Sequence, residues 1–359
     1  MDSSKRIISA MIRYFLVPLL AVIFGFFICS IIMIISWQDP VKAFHALFEG
    51  AGLFGNIRRF GYTLLAMTPL ILTGLSVALA FRTGLFNIGA AGQMLMGGFT
   101  AVLVGISFTN LPIIIHLPLA VISALVAGSL WAFIPGLLKA RYRVHEVVST
   151  IMMNWISMWS VYYFVPKLIK GGYETESLPI QETASLRTDF LTNLFEGTDV
   201  NLGIFISILS IIVVWWLLDK TTFGYELKAT GFNKDSAKYA GMKVNRNIIL
   251  SMMISGGLAG LAGATYYLGF TNKIIIGSLP SQGYDGISVA LIGANHPVGI
   301  LVSSFLLAII QSGSDQMDAI ANVPNEFVSI IVAVIILFAA TNKTMKLWLD
   351  KFKKIIFRR

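Results

Sequence analysis

The 359-residue chain is 56% hydrophobic and only 13% charged, with a mean hydropathy of +0.77, which excludes a pair of ordinary water-soluble domains. A net charge of +9 would suit nucleic acid, but the lysines and arginines cluster between and after long apolar runs, where they set membrane orientation instead. Cys29, the single cysteine, lies inside the first apolar run, so neither a disulfide framework nor a thiolate metal site can be drawn.

A hydrocarbon core of roughly 30 Å takes about 20 apolar residues per helix, and runs of that length recur along the chain. They fall at 14 to 36, 61 to 81, 86 to 107, 112 to 138, 146 to 166, 202 to 218, 248 to 270 and 326 to 341. The first is too long for a secretory signal and lacks its small-residue cleavage site, so it reads as an anchor helix. Between Gly283 and Gly313, a short apolar piece at 286 to 294 is broken by Asn295, His296 and Pro297 before a second run from Val298 to Ile310. That pattern predicts a half-length or re-entrant helix followed by a full span. The expected fold is an all-α polytopic membrane protein, a single transmembrane domain over 1 to 359 with about ten transmembrane helices. With both termini inside, all but seven of the 27 lysines and arginines fall on the cytoplasmic side, in 1 to 13, Arg82, 139 to 143, 220 to 246 and the tail after Thr341. The positive-inside rule therefore gives N-in, C-in.

Two long outside segments follow from this topology, 37 to 60 and 167 to 201. The first holds an amphipathic stretch around Phe44, Leu47, Phe48 and Phe54 that predicts an interfacial helix, and the second is polar enough to meet a soluble partner. On the inside lies the polar segment 219 to 247, where Gly224, Gly231 and Gly241 punctuate stretches of helix formers. Two or three short helices at the cytoplasmic surface are expected there. Only a stiff element passes displacement from a soluble partner into the spans, so the segment reads as a docking surface and not a catalytic one.

The order Gly224, Glu226, Lys228, Ala229, Gly231, Asn233, Ala237, Ala240 and Gly241 resembles the docking loop of permeases in the branched-chain amino acid, ribose and nucleoside class of ABC importers. A second stretch, TGLFNIGAAGQM from Thr83 to Met94, resembles the nucleoside and simple-sugar branch at Gly84, Phe86, Asn87, Gly89, Gly92 and Gln93. Ala91 stands where that branch often has a carboxylate, so no acidic contact is assigned there. The amides of Asn87 and Gln93 offer donors and acceptors to a neutral polyhydroxylated solute, or equally to a neighbouring helix. A third stretch, Gly283 to Gly299, is similar to nucleoside permeases, and its Asp285 is either a residue of the solute path or a helix N-cap. A fourth, Arg141 to Trp155, matches at Glu146, Val147 and Asn154; Asn154 falls mid-span, facing a conduit or another helix. The candidate path residues are thus Asn87, Gln93, Asn154 and Asp285, and the resemblance is closest to bacterial nucleoside (guanosine-type) permease subunits.

Small residues at Gly256, Ala259, Gly260 and Gly263 have the spacing that lets helices approach closely in lipid. No GxxxxGK[ST] sequence occurs, so ATP must bind on another chain. There is no HExxH, no serine elbow and no metal-ligand cluster among the scattered His45, His116, His145 and His296, which argues against an intramembrane enzyme. The resemblance implies a plasma-membrane complex: a pair of permeases, identical or different, two cytoplasmic ABC ATPases that carry ATP and Mg, and an extracellular substrate-binding lipoprotein. It implies no cofactor on this chain and no nucleic-acid partner. Ribose or another simple sugar is the alternative cargo, and an ion-coupled secondary transporter the alternative class, for which Asp285 is the only hint.

Overall fold

The computed structural model describes residues 17–324 and 326–340. In chain order the helices are α1 (Val17–Ile35), α2 (Pro40–Gly50), α3 (Ile57–Arg82), α4 (Ala90–Ser107), α5 (Ile113–Tyr142), α6 (Glu146–Leu168), α7 (Asp189–Leu194), α8 (Gly203–Lys220), α9 (Thr222–Phe232), α10 (Lys234–Tyr239), α11 (Val244–Tyr266), α12 (Gln282–Ile292), α13 (Pro297–Ala321) and α14 (Glu326–Ala340). Among the described residues the only β-type pairing is in isolated bridges, such as Glu176 with Ile275 and Arg187 with Asn201. Six helices among the described residues are long and apolar enough to cross a membrane: α3, α4, α5, α8, α11 with its π-helical extension to Thr271, and α13. The chain is helical there because an apolar run in lipid can satisfy its backbone only within the segment. The basic residues at 1 to 13 and after Thr341 that weigh in the orientation argument lie outside the described residues, as do 14 to 16 of the first run.

Burial sorts the spans into an inner and an outer set. In their most apolar stretches α3 and α11 are 78% buried, whereas α5 is 22% and α8 33% buried. The outer helices keep Ile122, Leu130, Leu209 and Ile212 exposed, as a lipid-facing surface requires. The small-residue stripe of α11 is what brings the inner helices together. A β-carbon on Gly256 would lie 2.3 Å from the Gly128 carbonyl oxygen, one on Gly260 2.2 Å from that of Ala124, and one on Gly263 2.1 Å from that of Met94. α11 therefore packs backbone to backbone on α5 and α4, where dispersion replaces the absent hydrophobic drive.

Two elements at one end of the bundle depart from simple spans. α2, expected as an interfacial helix, is capped by Asp39 and buries Ala43, Ala46, Leu47 and Gly50. Its apolar face is taken by α13, where a β-carbon on Gly313 would lie 2.1 Å from the Leu47 carbonyl oxygen. The segment 167 to 201 folds over the same end: Ser177 N–H donates to the Ile274 carbonyl at 2.9 Å, and Arg187 pairs with Asp199 at 3.0 Å. The polar break expected near 295 is a tight turn, with Ala294 and Asn295 both left-handed, between the 11-residue α12 and the 25-residue α13.

Candidate functional site

At the opposite end, between α8 and α11, the chain makes two short helices. Thr221 Oγ1 accepts from Gly224 N–H at 3.0 Å to cap α9, and Asn233 Oδ1 accepts from Asp235 and Ser236 N–H at 3.0 Å each to cap α10. Gly241 ends α10 at φ +80°, where a β-carbon would be strained. Glu226 Oε2 accepts from Asn247 Nδ2 at 3.0 Å, and Lys228 pairs with Asp219 at 3.0 Å. Gly231 touches the end of α3 so closely that a β-carbon would sit 2.3 Å from the Arg82 carbonyl oxygen. Gly224, Leu227, Thr230 and Ala237 are buried, and Ala229 is half-buried. Gly224, Glu226, Lys228, Gly231 and Ala237 thus tie the protrusion to α3, α8 and α11, while Asn233 and Gly241 shape its exposed edge. Phe232 and Tyr239, 92% and 94% exposed, point away from the bundle on either side of the Asn233 cap. Sequence reasoning passed over these two aromatics because they sit on different helices and share no single periodicity.

Three of the expected path residues meet in one buried polar knot. Asn87 Nδ2 donates to Gln93 Oε1 at 2.9 Å and to Ser255 Oγ at 2.8 Å, and Gln93 Nε2 returns a bond to Asn87 Oδ1 at 3.1 Å. Asn154 Oδ1 accepts from Gly92 N–H at 2.9 Å, and its Nδ2 donates to the Ile88 carbonyl at 3.0 Å and reaches the Tyr284 hydroxyl at 3.5 Å. Ser255 also donates to the Ser76 carbonyl at 2.7 Å. Asn87, Gln93 and Asn154 are all but fully buried. Their amides join α4, α6, α11, α12 and the 83–89 loop, and Ser255 extends the network to α3, so the buried amides do not remain unpaired.

A cavity of about 470 Å³ lies farther from α9 and α10, bounded by Tyr62, Leu65, Thr68 and Pro69 of α3, Tyr266 and Phe270 of α11 and its extension, Gln282 of α12, and Gln311 and Asp315 of α13. Three interruptions meet there. Pro69 has no N–H for the Leu65 carbonyl, α11 loosens into a π-helical turn over Tyr267–Thr271, and α12 begins halfway along α3, with Gly283 against Ala91 and Gly286 against Thr73. Asp285 stands apart from the amide knot. It is not the cap of α12, whose N-terminal position is Ser281; its Oδ2 accepts from Gln311 Nε2 at 3.0 Å and so fixes that side chain at the cavity wall. The knot residue Ser76 lies two turns beyond Pro69 toward α9 and α10, so the knot sits on that side of the cavity and contributes none of its lining. Size, aromatic faces and convergent amides, with the charged Arg59 and Asp315 also at the wall, fit a ring-bearing solute with several polar groups. Tyr62, Tyr266, Gln282 and Gln311 escaped sequence reasoning because their convergence depends on the interruptions in three separate helices.

The family described as the branched-chain amino acid transport system permease component is matched over residues 60–340. The chain belongs to that family. It is a multi-pass membrane protein and the membrane component of a transport system, not the subunit that hydrolyses ATP. The permease is 44% identical over 344 residues, 96% of its length and 98% of the relative's, to the guanosine ABC transporter permease protein NupP of Bacillus subtilis (strain 168). It is 37% identical over 349 residues, 96% and 95% of the two chains, to the nucleoside ABC transporter permease protein NupB of Lactococcus lactis subsp. cremoris (strain MG1363). The guanosine ABC transporter permease protein NupQ of the same Bacillus strain is 27% identical over 290 residues, 78% and 89% of the two chains. No solved structure gives a significant match.

Proposed function

We propose that the permease carries nucleosides inward across the plasma membrane as one subunit of an ABC importer, through a path that includes the cavity between α3, α11, α12 and α13. The cavity carries the assignment: aromatic rings at Tyr62, Tyr266 and Phe270 suit a base, and Gln282 and Gln311 suit ribose hydroxyls or base edges. Full-length similarity to two permeases named for guanosine and nucleosides supports the same cargo. The polar knot of Asn87, Gln93 and Asn154 then forms the inner closure of the path, and Asp285 acts through Gln311.

In this reading the ten crossings comprise the six long spans with α1, α6, α14 and the half-length α12, and both termini lie in the cytoplasm. The ATPase, which holds ATP and Mg, docks on α9 and α10 with Phe232 and Tyr239 as its apolar anchors. The loops 37–60 and 167–201 receive a substrate-binding lipoprotein on the outside. One Bacillus strain contributes two guanosine permeases, of which this chain resembles one far more than the other, and this supports pairing with a second, unlike permease. Uptake of labelled guanosine by cells that depend on this permease tests the cargo. Excess adenosine or uridine should suppress it and excess ribose should not; suppression by ribose alone would sink the nucleoside assignment.

A further inference from the structure

A second cavity, of about 940 Å³, opens beside the docking protrusion between the end of α5, α10 and the start of α11. Arg141 and Arg143 border it at the end of α5, Lys234 and Lys238 from α10, and Lys243 and Arg246 at the head of α11, against the single carboxylate of Asp235. Lys139, also at its wall, is already paired with Glu146. No side chain caps the first turn of α11, so that turn adds its own partial positive charge. Like charges gathered this closely repel one another unless an anion sits among them.

The shape narrows the identity of that anion. Ala140 and Ile248 supply an apolar floor beneath the cations. Exposed apolar side chains adjoin these cations along the chain: Tyr142 and Val144 flank Arg143, and Ile134 and Leu130 lie two and three turns back from Arg141 on α5, the least buried of the long spans. A headgroup among the cations would therefore lead its acyl chains directly onto a lipid-facing helix. We infer that this groove binds an anionic phospholipid, with the phosphate held by Arg141, Arg143 and Arg246 and the chains laid along α5. A free phosphate or a phosphorylated metabolite would satisfy the cations but leave the apolar floor unused.

The purified full-length permease, reconstituted in nanodiscs of phosphatidylcholine with and without phosphatidylglycerol, tests this by native mass spectrometry of retained lipid. Phosphatidylglycerol should be retained in preference to phosphatidylcholine, and the triple variant Arg141→Gln, Arg143→Gln, Arg246→Gln should weaken that retention by at least about tenfold, since each interfacial cation contributes to anionic-lipid binding. The triple Lys variant at the same positions keeps the charge and should retain the lipid, which separates loss of the site from loss of the fold. Equal retention of the two lipids, or undiminished retention in the Gln variant, would overturn the proposal. So would displacement of phosphatidylglycerol by equimolar glycerol 3-phosphate, which would mark a headgroup-only anion site. Loss of ATPase co-purification in the Gln variant with lipid retention unchanged would give the groove to an acidic surface of the ATPase instead.

Discussion

Gln311 is held at the cavity wall by Asp285, so Gln311→Leu removes an amide from the wall and strips the carboxylate of its donor. Lost polar contacts of this kind cost about 1 to 3 kcal/mol, so the KM for guanosine uptake should rise about tenfold or more while the amount of protein in the membrane holds steady. An unchanged KM would remove Gln311 from the path. His296 makes a different, pH-dependent contribution. Burial and the nearby Arg82 hold its imidazole below the usual histidine range, and its Nδ1 accepts from Val298 N–H at 3.3 Å at the head of α13. Its contribution to stability is full above the ordinary value of about 6.5 and is lost as pH falls from there toward the lower folded pKa, where protonation also removes the acceptor. Thermal unfolding of the purified permease between pH 8 and pH 5 should show this decline, and His296→Asn, which caps without titrating, should flatten it. An identical decline in the variant would assign the pH dependence to other groups.

At the scale of elements, two close glycine–backbone contacts make opposite predictions. Gly260→Val places atoms where the Ala124 carbonyl oxygen already lies, so α5 must separate from α11. Overpacking of this kind costs about 1 to 3 kcal/mol, and the yield of folded permease and its unfolding temperature should both fall. Gly231→Ala instead wedges α9 away from the end of α3, at the protrusion and not in the core. Membrane level should stay at wild type while uptake per ATP hydrolysed falls, measured by pairing the uptake assay with phosphate release; unaltered coupling would remove Gly231 from the transmission route. The small-residue stripe of α11 and the short helices of the docking segment were legible in the sequence because both are local patterns, spacing along one helix and glycines between helix formers. The face of α2 was not, because the amphipathic stretch around Leu47 fits a lipid surface and a helix surface equally well, and only the facing Gly313 decides between them. Asn87, Gln93 and Asn154 were recognisable as special buried amides, but whether they faced solute or one another depended on a three-dimensional meeting that no spacing encodes.

The whole molecule has a consistent polarity along its bundle axis. One end carries α2, the folded 167–201 segment and the mouth of the cavity; the other carries α9, α10, the Arg82 end of α3 and the tight turn before α13, where Arg82 Nε donates to the Asn295 carbonyl at 2.9 Å. The half-length α12 runs between the cavity floor and that turn, packed against α3. In the reading proposed above, a push on the protrusion would be passed to α3 through Gly231 and to the turn after α12 through Arg82. This arrangement predicts that solute movement depends on an engine outside the chain. Uptake of labelled guanosine, measured in cells before and after the hydrolytic glutamate of the partner ATPase is replaced by glutamine, tests that most directly. Uptake should fall to background with the permease still in the membrane; uptake that persists would contradict the account and leave a transporter driven by an ion gradient.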